Sequence, residues 1–89
     1  MMAVNLLDFW APWCPPCKLM DPVMEEVGKE FKGKVKIVKH NVDEEPEVAQ
    51  NYLVLSIPTY VIEKDGKEAA RTTGARPAED FKRWVAENL

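Results

Sequence analysis

Apart from one closely spaced pair, this chain has no cysteine, and His40 is its only histidine. A four-ligand metal site built on that pair would need two more good ligands, so a zinc centre within one chain is disfavoured. The chain also lacks a strong excess of charge of either sign. Its 12 basic and 15 acidic residues give a formal net charge of −3. The isoelectric point is near 5.1. That balance leaves no electrostatic footprint for nucleic acid or an acidic membrane surface, and neither is expected as a partner. The N-terminal run Met1-Met2-Ala3-Val4-Asn5 has no basic segment and no long apolar stretch. It reads as neither signal peptide nor anchor, so a cytoplasmic location is expected. A phosphate-cradling glycine loop and flavin or nicotinamide motifs are missing too, and no cofactor is expected.

What is present suits one compact unit spanning residues 1–89, with 46% hydrophobic and 30% charged residues. A chain of this length buries roughly 60–65% of its unfolded surface, enough for one modest core. Val4–Phe9 is short and largely apolar, which reads as a buried strand. From Cys14 the apolar residues Leu19/Met20, Val23/Met24, Val27 and Phe31 recur about every fourth position, marking an amphipathic helix closed by Gly33. Pro22 falls inside that pattern and is expected to kink the helix without ending it. Val35–Val42 reads as a second strand. Asp43 is the expected N-cap of a short second helix whose apolar face is Val48, Ala49, Tyr52 and Leu53.

Pro58–Glu63 is the third strand, and Asp65-Gly66 signals a hairpin into a weaker fourth strand that runs through Thr73 to Gly74. Pro77 opens a last helix striped by Phe81, Trp84, Val85 and Leu89. The order is β-α-β-α-β-β-α. Strands joined through helices pair in parallel with right-handed crossovers, and the hairpin adds an antiparallel pair. The expected fold class is therefore α/β, a mixed four-stranded sheet with three helices on both faces.

The reactive chemistry is concentrated in Trp13-Cys14-Pro15-Pro16-Cys17, at the join of the first strand and first helix. A helix N-terminus carries partial positive charge and favours thiolate, the reactive form of cysteine. Cys14 lies at the outer end of the pair and is expected to be the more exposed and more acidic thiol. Cys17 lies one turn inside. Taken alone, the pair admits two chemistries, disulfide exchange and metal ligation. Asp8 alternates with Val4 and Leu6 on one strand face, and if that face is buried its carboxylate is desolvated and its pKa raised; on the residues alone a solvated strand-end or turn-capping aspartate is the favoured reading. Lys39, on the neighbouring strand, could offset that charge. His40 should point the other way, as a surface residue with no catalytic part. Trp10 and Trp84 read as core.

The run Leu7-Asp8-Phe9-Trp10-Ala11-Pro12-Trp13-Cys14-Pro15-Pro16-Cys17-Lys18 resembles the active-site segment of thioredoxins. Pro22, Lys39, Asp43, Ile57-Pro58-Thr59 and Gly74-Ala75 follow with the family's order and spacing over essentially the whole chain. The resemblance implies a protein-disulfide reductase with Cys14 as nucleophile, Cys17 as resolving thiol, Asp8 as general base and Lys39 tuning Asp8. It implies a cis bond before Pro58 and a flat substrate surface built from Trp13, Pro15, Ile57, Pro58, Gly74 and Ala75. The implied partners are disulfide-containing proteins and a thioredoxin reductase.

The chain departs from the family in two ways. Thioredoxins typically carry Gly-Pro between the cysteines, and this chain has Pro15-Pro16. They also begin with a further strand and helix, whereas this chain starts at the strand carrying Asp8. The family's sheet order then leaves Val35–Val42 at an open edge, guarded by Lys34, Lys36 and Lys39, and a monomer is expected. Two other readings of the dithiol are a disulfide oxidase or isomerase, and a module holding zinc or an iron–sulfur cluster between two chains.

Overall fold

A computed structural model describes residues 4–89. The reading of Met1-Met2-Ala3 as free of a leader falls outside the described residues. The elements run β1 Val4–Trp10, α1 Pro15–Glu30, β2 Lys36–Asn41, α2 Pro46–Asn51, β3 Thr59–Lys64, β4 Lys67–Thr73 and α3 Ala78–Glu87. The sheet order is β2-β1-β3-β4. β1 pairs in parallel with β2, as a strand–helix–strand crossover requires, and antiparallel with β3. β3 and β4 form the expected hairpin. Asp65 and Gly66 both have positive φ, 52° and 79°, the sign pattern of the type I′ turn that matches strand twist.

β1 and β3 are central strands and bury both faces. Leu6, Tyr60 and Ile62 point to one side, where α1 supplies Met20, Val23, Met24 and Val27, and α3 supplies Phe81 and Val85. Leu7, Phe9 and Val61 point to the other side, beneath Val48 and Ala49 of α2 and Tyr52 just beyond it. Helices therefore cover both faces of the mixed sheet. Each fully buried Leu, Ile or Phe in such a core stabilises the fold by roughly 1.5–3 kcal/mol. Trp84 packs against the first cluster, tilted on Phe81 with ring centroids 5.5 Å apart.

As expected, α1 does not end at Pro22 and runs as one helix from Pro15 to Glu30, because the residues on either side of that proline keep their apolar face on the core. Several other expectations are corrected. Asp43 does not cap α2; Glu45 precedes the helix and makes no side-chain cap, while Asp43 turns away. Leu53 is not on the helix's apolar face. The helix stops at Asn51, and Leu53 lies beyond it with φ 55° and is 75% exposed. Pro58 precedes β3, which begins at Thr59. His40 does point away from Lys39, yet it is half-buried, stacked on Phe9 with centroids 5.2 Å apart and with Nδ1 3.2 Å from Glu45 Oε2. β2 lies at a sheet edge, and Lys36 and Lys39 on it are exposed, as expected.

Candidate active site

β1 ends at Trp10, and the chain turns through Ala11-Pro12-Trp13 into α1. The Cys14 N–H donates to the Ala11 carbonyl at 3.2 Å, which sets Cys14 in extended geometry as the N-cap of α1. Proline at the first helical positions suits this start, since those N–H groups have no intrahelical partner. It also leaves them unable to donate. The first N–H of the helix is that of Cys17, which donates to Cys14 Sγ at 3.3 Å. A sulfur thus occupies the place usually held by a serine or aspartate cap.

Cys14 and Cys17 are joined as a disulfide with Cα atoms 5.3 Å apart. Contrary to expectation, Cys14 is not the more exposed sulfur residue; in the disulfide form both are buried, 3% and 5% exposed. They form a small apolar cluster with Ala11, against which Trp10, Val42 and Ile57 pack. Trp10 is accordingly beneath the active-site turn.

Asp8 is buried, 4% exposed, between Lys39 on β2 and Tyr60 on β3 in the strand register. It shares the α1 face of β1 with Leu6. Burial pushes its carboxyl up to about 6; the Lys39 ammonium pulls it down and the Asp21 carboxylate pushes it up further. Asp21 stands one turn along α1 from Cys17, on the helix that covers the Leu6 face of β1. Lys39 has an exposed side chain and still reaches Asp8 electrostatically. Tyr60, fully buried, has its phenol pushed well above its ordinary range, first by burial and then by Asp8 and Asp21.

Of the remaining expected residues, Ile57 packs against the two cysteines, and the others differ in exposure. Trp13 is 63% exposed, and its indole Nε1 donates to Asp43 Oδ2 at 2.7 Å. Pro15 and Ala75 are exposed. The Ile57–Pro58 bond is cis. Ile57 is half-buried, but Pro58 is buried and so is not part of an exposed apolar surface. Its carbonyl accepts from Gly74 N–H at 2.8 Å, which ties the cis turn to the end of β4. Gly74 has φ 92°, a conformation that favours glycine.

An open groove of about 390 Å³ lies beside the disulfide, lined by Trp13, Val42, Ala49, Val54, Leu55, Ser56 and Ile57. Sequence reasoning does not bring Asp43, Val42, Val54 or Leu55 into this neighbourhood. The one signal for it is Val54-Leu55, two apolar residues outside any helical or strand pattern, and Leu55 is 97% exposed. Among the described residues no group of three or more His, Cys, Asp or Glu is placed to hold a metal ion.

The sequence model of the Thioredoxin family matches residues 2–87 of this chain. Thioredoxin of Staphylococcus saprophyticus is 43% identical over 86 residues, covering 97% of this chain and 83% of that protein. Thioredoxin 1 of Nostoc sp. is 43% identical over 84 residues, covering 94% and 78% respectively. Thioredoxin of Staphylococcus aureus is likewise 43% identical over 86 residues, with 97% and 83% covered.

Proposed function

This chain belongs to the thioredoxin family and is a thiol–disulfide oxidoreductase, and on that footing we propose that it reduces disulfides of other proteins. The observation carrying this reading is the Cys14–Cys17 disulfide at the N-terminus of α1, with a buried carboxyl of raised pKa on the preceding strand β1. In the reduced protein, the Cys14 thiolate attacks one sulfur of a substrate disulfide. That S–S bond breaks, a Cys14–substrate disulfide forms, and one substrate thiolate leaves and takes a proton from water. Asp8, ionised near neutral pH, takes the proton of Cys17 through water. The Cys17 thiolate attacks Cys14 Sγ, the second substrate thiolate leaves, and two electrons have passed to the substrate. The oxidised pair awaits a reductase, here a thioredoxin reductase in the cytoplasm.

Trp13, Pro15, Ile57, Gly74 and Ala75 hold the substrate segment in this reading, with Pro58 fixing Ile57 from beneath. Lys39 moderates the titration of Asp8. The two prolines bear on the driving force. With N–H groups absent at positions 15 and 16, the first-turn donor left for the Cys14 sulfur is Cys17 N–H. A less stabilised thiolate disfavours the reduced form, so the pair is reducing. The expected midpoint lies near that of thioredoxin, roughly −270 mV, and far from DsbA at about −120 mV. Dithiothreitol-driven reduction of insulin, with equilibration against glutathione, tests both points. Catalysed insulin reduction by metal-free protein is expected. No catalysis, or a midpoint above about −180 mV, overturns the reading.

A further inference from the structure

The wall of the groove formed by Val54, Leu55 and Ile57 belongs to the stretch between α2 and β3, outside regular structure. Its first bend is an unusual one. Val54 N–H reaches the Ala49 carbonyl at 2.9 Å and Leu53 N–H the Gln50 carbonyl at 3.0 Å, the two bonds of a Schellman cap. The left-handed position of that cap is normally glycine, and here it is Leu53 at φ 55°. A leucine gains nothing from this conformation, so the bend draws on support from outside the cap.

That support comes from β4. The Arg71 guanidinium donates through Nη2 to the Tyr52 carbonyl at 2.7 Å and through Nη1 to the Leu53 carbonyl at 3.4 Å. These are carbonyls at the end of α2, where the helix leaves acceptors without partners. The guanidinium is itself oriented by a two-pronged pair with Glu68, Nε to Oε2 at 2.8 Å and Nη2 to Oε1 at 2.7 Å. With side chains 31% and 40% exposed, that ion pair adds little to overall stability. What it fixes is direction. Lysine, a single point charge without the planar fork, cannot reproduce the arrangement.

β4 also leads, three residues after Arg71, to Gly74, which bonds the Pro58 carbonyl. The strand therefore grips the groove segment at both ends, through Arg71 at residues 52–53 and through Gly74 at residue 58. The geometry points to Arg71, oriented by Glu68, as a positioning residue that holds the Val54–Ile57 wall in shape for recognition of protein disulfides. This rests on the proposed reductase function. The hydrogen bonds of Arg71 go to Glu68, Tyr52 and Leu53 and it does not line the groove, so small disulfides that need no wall are reduced independently of it.

The test compares wild type with Arg71→Ala, Arg71→Lys and Glu68→Ala. It follows reduction of insulin and of hydroxyethyl disulfide, amide hydrogen exchange at residues 53–57, and thermal unfolding. For both Arg71 variants KM for insulin should rise about threefold to tenfold, with kcat within about twofold of wild type. The rate with hydroxyethyl disulfide should not change, and amides 53–57 should exchange about tenfold faster. Glu68→Ala should move the same quantities in the same direction by less. Unchanged insulin KM in Arg71→Ala, full rescue by Arg71→Lys, or parallel losses on both substrates would overturn the clamp. Failure of wild type to reduce insulin would instead sink the reductase reading; faster exchange in Arg71→Ala would then still support the clamp on the wall.

Discussion

Asp8 is a carboxyl set among buried side chains of β1 and β3, and its raised pKa of about 6 couples folding to pH. Its value in the unfolded chain is near 3.8, so the folded protein holds this proton more tightly. Its contribution to stability is therefore fully present below the unfolded value and is lost as pH rises through about 6. Asp8→Asn removes the buried charge and should stabilise the protein at pH 8 on the order of 2 kcal/mol, with little gain at pH 4. Urea unfolding at the two pH values measures this, and equal stability at pH 8 would show that Asp8 is better solvated than its burial indicates. If Asp8 takes the Cys17 proton as proposed, the same substitution should also slow insulin reduction. At this scale the sequence is informative. Alternation along β1 places Asp8 on one face with Leu6, and the cysteine spacing places Cys14 at the helix start. It offers no view of Cys14 as a buried residue, because the cover comes from Val42 and Ile57, which are remote in sequence.

The start of α1 and the end of α2 show what an element can and cannot reveal locally. The Pro15-Pro16 pair is a local feature, and its effect on N–H donors follows from residue identity alone. An N-cap side chain accepts from the second or third helical residue, and here the second is Pro16. Pro16→Ala restores that donor and should raise the midpoint potential. One added hydrogen bond to a charged sulfur, about 1.5 kcal/mol, corresponds to roughly 30 mV for a two-electron couple. A glutathione titration of the variant measures the shift, and a lower potential would mean that proline rigidity outweighs the missing donor. The end of α2 is illegible for the opposite reason. Tyr52 and Leu53 continue an apolar pattern, but the helix is stopped by a cap reinforced by Arg71 from β4, 19 residues from Tyr52 in sequence. Asp43 likewise has the sequence neighbours of a helix cap, whereas its partner is the indole of Trp13.

For the whole molecule the consequential fact is the strand order β2-β1-β3-β4, which leaves β2 along one edge. An unpaired edge invites association with a second chain, and lysines on it oppose that. Lys36 and Lys39 are exposed on β2. We expect residues 1–89 to behave as one monomeric unit in sedimentation at the concentrations used for insulin reduction, and Lys36→Val to shift it toward dimer. A stable dimer of the unaltered protein would assign β2 to an interface instead.

The amino-acid sequence by itself determined the element order, the mixed sheet and the location of the dithiol, because these depend on apolar periodicity, turn chemistry and residues close together along the chain. The hairpin at Asp65-Gly66 and the helix opening at Pro15 are of that kind. Tertiary structure alone decided how buried the disulfide is, that Asp21 also acts on the Asp8 carboxyl, and what holds the groove beside Trp13. Those properties arise where β1, β2, β3 and β4 bring distant side chains within a few ångströms. Desolvation and charge–charge coupling depend on distance in space, which no local pattern encodes.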